Sequence, residues 1–168
     1  MNTRRRILVL AVLALLLLGL STALALACPP PGTGTPGYWK NHPGAWPMEQ
    51  ITIGGVTYTK TEAIEKMNTS GKGDKTYTLF SALVAAELNW VLNWQPNDAT
   101  NCPIPGTTFR IRNIMWQANG WLTENPLGSN VGGSSDAWQG GGEWKYKWLD
   151  AYNRGLLCVP SRDDFEND

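Results

Sequence analysis

An uncharged run of 21 residues, Ile7 to Ala27, follows Arg4, Arg5 and Arg6 and closes on Ala25-Leu26-Ala27. A basic segment, an apolar segment and a small-x-small triplet are the parts of an export signal, cut after the second small residue. What folds is therefore expected to be residues 28–168, which make 141 of the 168. That is the size of one domain, placed where thiols tend to oxidise. The run is also long enough to span a bilayer, so retention as an N-terminal anchor competes with cleavage. Ser21, Thr22 and the Ala-rich end favour cleavage.

Three arginines leave with residues 1–27, so the mature chain carries 11 Lys+Arg against 14 Asp+Glu, a net charge of −3. Arg162 to Asp168 alone sums to −3 and leaves the body neutral. A neutral body with no basic stripe argues against nucleic acid as a partner. The membrane is expected to be met only through the signal, a lipid or an N-terminal anchor.

Cys28, Cys102 and Cys158 make an odd count. Lipidation at Cys28 would leave Cys102 and Cys158 to pair, with residues 28–37, rich in Pro and Gly, as a tether. Ala25 stands where lipoprotein signals prefer Leu, and the complete Ala-x-Ala site favours ordinary cleavage. Simple export is the reading adopted, with Cys28 then oxidised or reactive. Pairing of Cys28 with Cys158 stays open.

Residues 38–160 read as a small, mainly α domain of three to four helices with one β-hairpin near its start. Gln50 to Thr59 alternates apolar and polar residues around Gly54-Gly55, a hairpin pattern. Thr59 and Glu62 have capping-box spacing and open a short helix through Ala63, Ile64 and Met67. Thr76 to Asn93 is the strongest helix, with Leu79, Phe80, Leu83, Val84, Leu88, Trp90 and Val91 as its apolar face. Thr78, Ser81, Ala85, Asn89 and Asn93 form the opposite polar stripe. Another helix fits Thr108 to Thr123, and a last one carries Trp144, Trp148 and Tyr152 and ends at Arg154-Gly155. Gly128 to Gly142, with six glycines, reads as a loop, and residues 161–168 as an acidic tail.

The segment Gly37-Tyr38-Trp39-Lys40-Asn41-His42-Pro43, with Ala45-Trp46-Pro47 behind it, is too specific for composition to explain. It resembles the G-Y-W-K-N-H-P-x-A-W-P signature of a domain found in exported and surface-associated proteins of bacteria and archaea. The likeness continues through Ile51–Lys60, Leu83–Asn89 and Leu149–Gly155. It implies a place at or beyond the cell surface, and no defined reaction or ligand comes with it. Two departures stand out: Trp116 and Trp121 lie in a stretch that is Ala-rich in that family, and Glu87 stands where the family commonly carries a cation.

Candidate chemistry concentrates in Tyr38, Trp39, Lys40, His42, Trp46 and Glu87. His42 is the one histidine, and a hydrolase would use it with Glu87 or Asp150. No thiolate or carboxylate partners stand at metal-ligand spacing, the loop residues Asn125, Asn130 and Asp136 lack EF-hand alternation, and no cofactor motif is read. A capped turn over packed aromatics is the favoured role for the signature. Glu87, on an apolar helix face, is expected to pair with Lys40, Arg110 or Arg112. Nine tryptophans suggest polysaccharide contact if any are exposed, and Trp94, Trp121 and Trp138 are the better candidates. The function expected is therefore an exported, non-enzymatic domain acting in attachment, envelope structure or ligand binding. A secreted hydrolase and a tryptophan-based carbohydrate-binding module are the alternatives.

Overall fold

The chain folds around one helix, Lys75–Asn93, which we call α3. The computed structural model describes residues 32–94 and 101–162. The leader, Cys28 and the acidic run from Asp163 lie outside the described residues. Before α3 come α1 (Pro36–Asn41), a 3-10 turn (Pro43–Ala45), strands β1 (Gln50–Ile53) and β2 (Val56–Thr59), and α2 (Lys60–Asn68). After it come α4 (Ile111–Glu124), a π-helical turn (Trp138–Gly142) and α5 (Glu143–Asn153). The fold is mainly α with one antiparallel hairpin, as the periodicities require. The fifth helix is the short α1 inside the signature.

Local signals act where the sequence places them. The hairpin pairs Ile53 with Val56 and Gln50 with Thr59 across Gly54-Gly55. Gly54 sits at φ +60, and a Cβ there would lie 3.0 Å from the Leu122 carbonyl oxygen, so a side chain is excluded twice over. Thr59 and Glu62 form the reciprocal capping box at the start of α2. Gly155, at φ +71, lets its N–H and that of Leu156 reach back to the Tyr152 and Ala151 carbonyls and close α5.

Helix α3 packs against α1, α2, α4, α5 and β1. A helix covered on so many sides has little room for a solvated face. The polar stripe accordingly lies inside: Ala85, Asn89 and Asn93 are fully buried. It is the C-terminal part of the apolar side that reaches solvent, at Val91 and Leu92. Asn89 can be buried because every hydrogen-bonding group of its amide is used. Its Oδ1 accepts from the Gly34 N–H at 2.7 Å and from the Trp39 indole at 3.0 Å. Its Nδ2 donates to the Gly34 carbonyl and to Asn153 Oδ1, each at 2.9 Å. Asn153 in turn donates to the Ala82 carbonyl.

The stretch 28–37 joins the packed structure from Gly32 onward. Thr33 is fully buried and bridges in parallel to Ser161. Its N–H donates to the Pro160 carbonyl, and its carbonyl accepts from the Arg162 N–H. Residues 161 and 162 thus belong to the domain rather than to a tail. Cys102 and Cys158 form a disulfide with Cα atoms 5.2 Å apart, closing a loop for which about 2–4 kcal/mol is typical.

The Gly-rich stretch is the largest departure from the sequence reading. Trp138–Gly142 is a π-helical turn that runs directly into α5. Glycine is required there for packing: a Cβ on Gly142 would fall 2.5 Å from the Trp138 ring and 3.0 Å from that of Trp121. The earlier part of the stretch is tied down by Asp74, the cap of α3. Asp74 accepts from the N–H and hydroxyl of Thr76 and from the Asn130 N–H. Burial works to raise the Asp74 pKa, but the Thr76 bonds and the backbone amides of Asn130 and Val131 outweigh it and hold the carboxyl below its ordinary value.

Two tests follow from these anchors. Asn89→Leu keeps the shape and orphans the Gly34 amide, the Trp39 indole and Asn153, so urea denaturation should show a loss of about 3 kcal/mol or more. Asp74→Asn should cost about 1–3 kcal/mol at neutral pH. Because the folded pKa of Asp74 is depressed, its contribution is present above the unfolded value of about 3.9 and disappears as pH falls through the folded one. The melting temperatures of the two proteins should therefore converge on acidification below pH ~4.

Candidate functional site

The signature folds into a packed corner. Thr35 caps α1 by accepting from the Tyr38 N–H. Trp39 is fully buried and Trp46 nearly so, and the Trp46 indole donates to the Trp39 carbonyl at 2.9 Å. Tyr38 meets Trp39 edge-on at 5.1 Å and stacks on His42 at 4.3 Å. The Arg162 guanidinium covers both rings, 5.5 Å from Tyr38 and 5.3 Å from Trp39. His42 itself is exposed. Its Nδ1 lies 2.8 Å from the Tyr38 carbonyl, which only accepts, so Nδ1 carries the proton. Lys40 is half-buried on the same helix.

Glu87 stands apart from this corner in its bonding. Its Oε2 pairs with Arg112 Nη1 at 2.9 Å, which selects one of the three cations the sequence offers. Arg112 also lies over the Trp90 ring at 5.0 Å. Burial pushes the Glu87 pKa up, and the charge and hydrogen bond of Arg112 only partly offset that. Both charges act on Tyr152, which is fully buried and whose hydroxyl has no hydrogen-bond partner among the described residues. Burial, then the Glu87 charge, raise its pKa steeply against the opposing effect of Arg112. Asp150, the other acid proposed for His42, pairs with Arg154 at 3.6 Å. None of these bonds joins His42 to Glu87 or to Asp150.

The tryptophans divide differently from expectation. Trp94 is 57% exposed, as expected, but Trp121 and Trp138 are buried. They stack edge-on at 6.1 Å over the glycines of the π-turn, and the Trp121 indole donates to the Ala137 carbonyl. The most open ring is Trp116, at 77%. It stands over a groove of about 290 Å³ between α4 and α5, lined also by Gln117, Gly120, Trp121, Glu124 and Lys145. Lys145 is nearly buried. Its ammonium donates to the Gly141 carbonyl at 2.7 Å and lies 4.5 Å from the Trp144 ring centre. Burial lowers its pKa, against the charge of Glu124, which raises it.

Sequence reasoning missed Gln117, Gly120, Glu124 and Lys145 as a set. The α4 members repeat at helical spacing, a signal that was present. Lys145 was not legible, because its place depends on a π-turn that composition presents as a loop. Among the described residues, no group of His, Cys, Asp and Glu is placed to hold a metal ion. No described helix is long and apolar enough to cross a membrane, and Ile7 to Ala27 lies outside those residues. No family model, curated protein or solved structure matches the chain.

Glu87 yields a pH test opposite in sign to that of Asp74. Its folded pKa is raised, so its contribution is fully present below the unfolded value of about 4.3 and is lost as pH rises through the folded one. Glu87→Gln should therefore gain on the unsubstituted protein as pH climbs from about 4 to 7, read as a narrowing difference in denaturation midpoint.

Proposed function

We propose that the chain is exported and that residues 28–168 form a non-enzymatic binding domain, held at or beyond the cell surface, that acts in attachment or ligand capture. The observation that carries the reading is the split among the aromatic residues. Trp39 and Trp46 of the signature are consumed by internal packing and hydrogen bonds, whereas Trp116 faces solvent above a groove that also holds a nearly buried lysine. A concave site with an aromatic wall and a few convergent polar groups is the usual form of a ligand site. His42, Glu87 and Asp150 are each engaged with a different neighbour, which supports a structural role for the signature over a hydrolytic one. The Cys102–Cys158 disulfide suits an oxidising compartment.

Two measurements test this. Expression of the full chain with its own leader, followed by intact mass spectrometry, should give a product beginning at Cys28. A diacylglycerol adduct would make it a lipoprotein, and an unprocessed N-terminus an anchored protein. Retention of the mature protein on isolated cell envelopes should fall about tenfold or more in Trp116→Ala, as for an aromatic hot spot, with an unchanged melting temperature. Turnover in a hydrolase screen, abolished by His42→Ala with the fold intact, would overturn the non-enzymatic reading.

A further inference from the structure

We propose that the groove between α4 and α5 is a saccharide subsite for a neutral chain of gluco-configured pyranoses, with Trp116 as its stacking platform and Gln117, Glu124 and Lys145 as its polar contacts. The inference rests on the reading of the domain as a binding module and assigns that module's ligand class.

The arrangement on α4 comes first. Trp116, Gly120 and Glu124 follow one another at four-residue spacing, so they form a single row along the helix, with Gln117 and Trp121 in the adjacent row. Gly120 is exposed, and a Cβ there would meet nothing within 4 Å. The middle of the row is thus a step between an indole and a carboxylate. A pyranose whose hydroxyls are all equatorial has a flat face of C–H groups that covers an indole, while the hydroxyls project from its rim.

The polar groups then match a rim of hydroxyls. A hydroxyl both donates and accepts, and the groove supplies a donor-only ammonium, an acceptor-only carboxylate and an amide that does both. Lys145 has three N–H donors, of which the Gly141 carbonyl takes one. That bond, together with the Trp144 ring 4.5 Å away, holds the ammonium in place before any ligand arrives. Fixing a cation there is costly unless its remaining donors are used, and water or a ligand hydroxyl can use them.

Charge selects between ligand classes. Lys145 and Glu124 cancel, so the groove draws neither a polyanion nor a polycation. A peptide would be expected to use an exposed strand edge or a run of apolar sockets, and this groove has one exposed ring beside three polar side chains. Its volume, about 290 Å³, is at the small end of ligand clefts, which run to ~300–1,000 Å³. That suits a short stretch of saccharide rather than a folded partner.

The test uses the mature protein secreted from the full-length chain and titrates it with cellohexaose, maltohexaose and chitohexaose. Tryptophan fluorescence and the NMR shift of the Trp116 indole N–H are followed. At least one sugar should bind with micromolar to millimolar Kd and move the Trp116 signal. Trp116→Ala should weaken binding about tenfold or more, at constant melting temperature. Lys145→Met should weaken it several-fold, and the pair Gln117→Ala and Glu124→Gln, at a half-buried and an exposed position, gives the same readout should Lys145→Met fail to fold. The assignment is overturned if none of the three sugars moves Trp116, if binding survives Trp116→Ala, if only polygalacturonate binds, or if a mixture of unstructured peptides binds instead. Envelope retention that needs Trp116 without sugar binding would refute the ligand class alone. Retention indifferent to Trp116 would refute the binding-module reading itself.

Discussion

One buried amide holds the ends of this domain to its middle. Asn89 lies in the last quarter of α3, and it grips Gly34 by both backbone groups, the Trp39 indole and the Asn153 side chain. Without it both backbone groups of Gly34 would lose their bonds to the central helix, and the Trp39 indole N–H would be buried unpaired. Asn93 extends the same seam by donating to the Gly32 carbonyl, and Thr33 carries it across to Ser161 and Arg162. The Asn89 amide, with both its donors and its acceptor used, favours one arrangement, because an alternative docking of the N-terminal segment would leave those polar groups without partners. The signature is best understood as the part of the chain built to fill that seat.

This explains which features the sequence made legible. The hairpin, the Thr59 capping box, the four longer helices and the C-cap at Gly155 each depend on residues close together in the chain, so pattern and turn chemistry identify them. The seam depends on residues fifty or more positions apart. Asn89 and Asn93 look like members of a solvated stripe because a helical wheel shows which residues share a side and is silent about what covers that side. The apolar run from Leu79 to Leu88 could have raised the question, since Ala82, Ala85 and Ala86 leave α3 with small residues where neighbouring helices approach closely. Burial of all three is what turns the polar stripe inward.

The Gly-rich stretch misled for a related reason. Composition identifies glycine with flexibility, whereas Gly141 and Gly142 are small because Trp121 and Trp138 occupy the space their side chains would need. The wide π-helical turn leaves the Gly141 carbonyl facing Lys145 four residues on. The candidate site was therefore only half readable: its α4 row could be found by spacing, and its α5 lysine could not.

Hydrogen bonding accounts for why two carboxylates, Asp74 and Glu87, carry opposite shifts. Asp74 is ringed by donors from the Thr76 and Asn130 segments, which favour its charged form. Glu87 has one strong partner, Arg112, which only partly offsets its desolvation by burial, so desolvation prevails. A carboxylate that must be neutralised by a single arginine is also a tether between α3 and α4, and that tether fixes the face of α4 that looks outward. With Arg112 drawn toward Glu87 and Trp90, and with Ile111, Ile114, Met115 and Ala118 buried, the α4 residues left facing out include Trp116. The exposed ring follows from the way the helix is held on its other side. That exposed indole is the observation on which the proposed saccharide subsite rests.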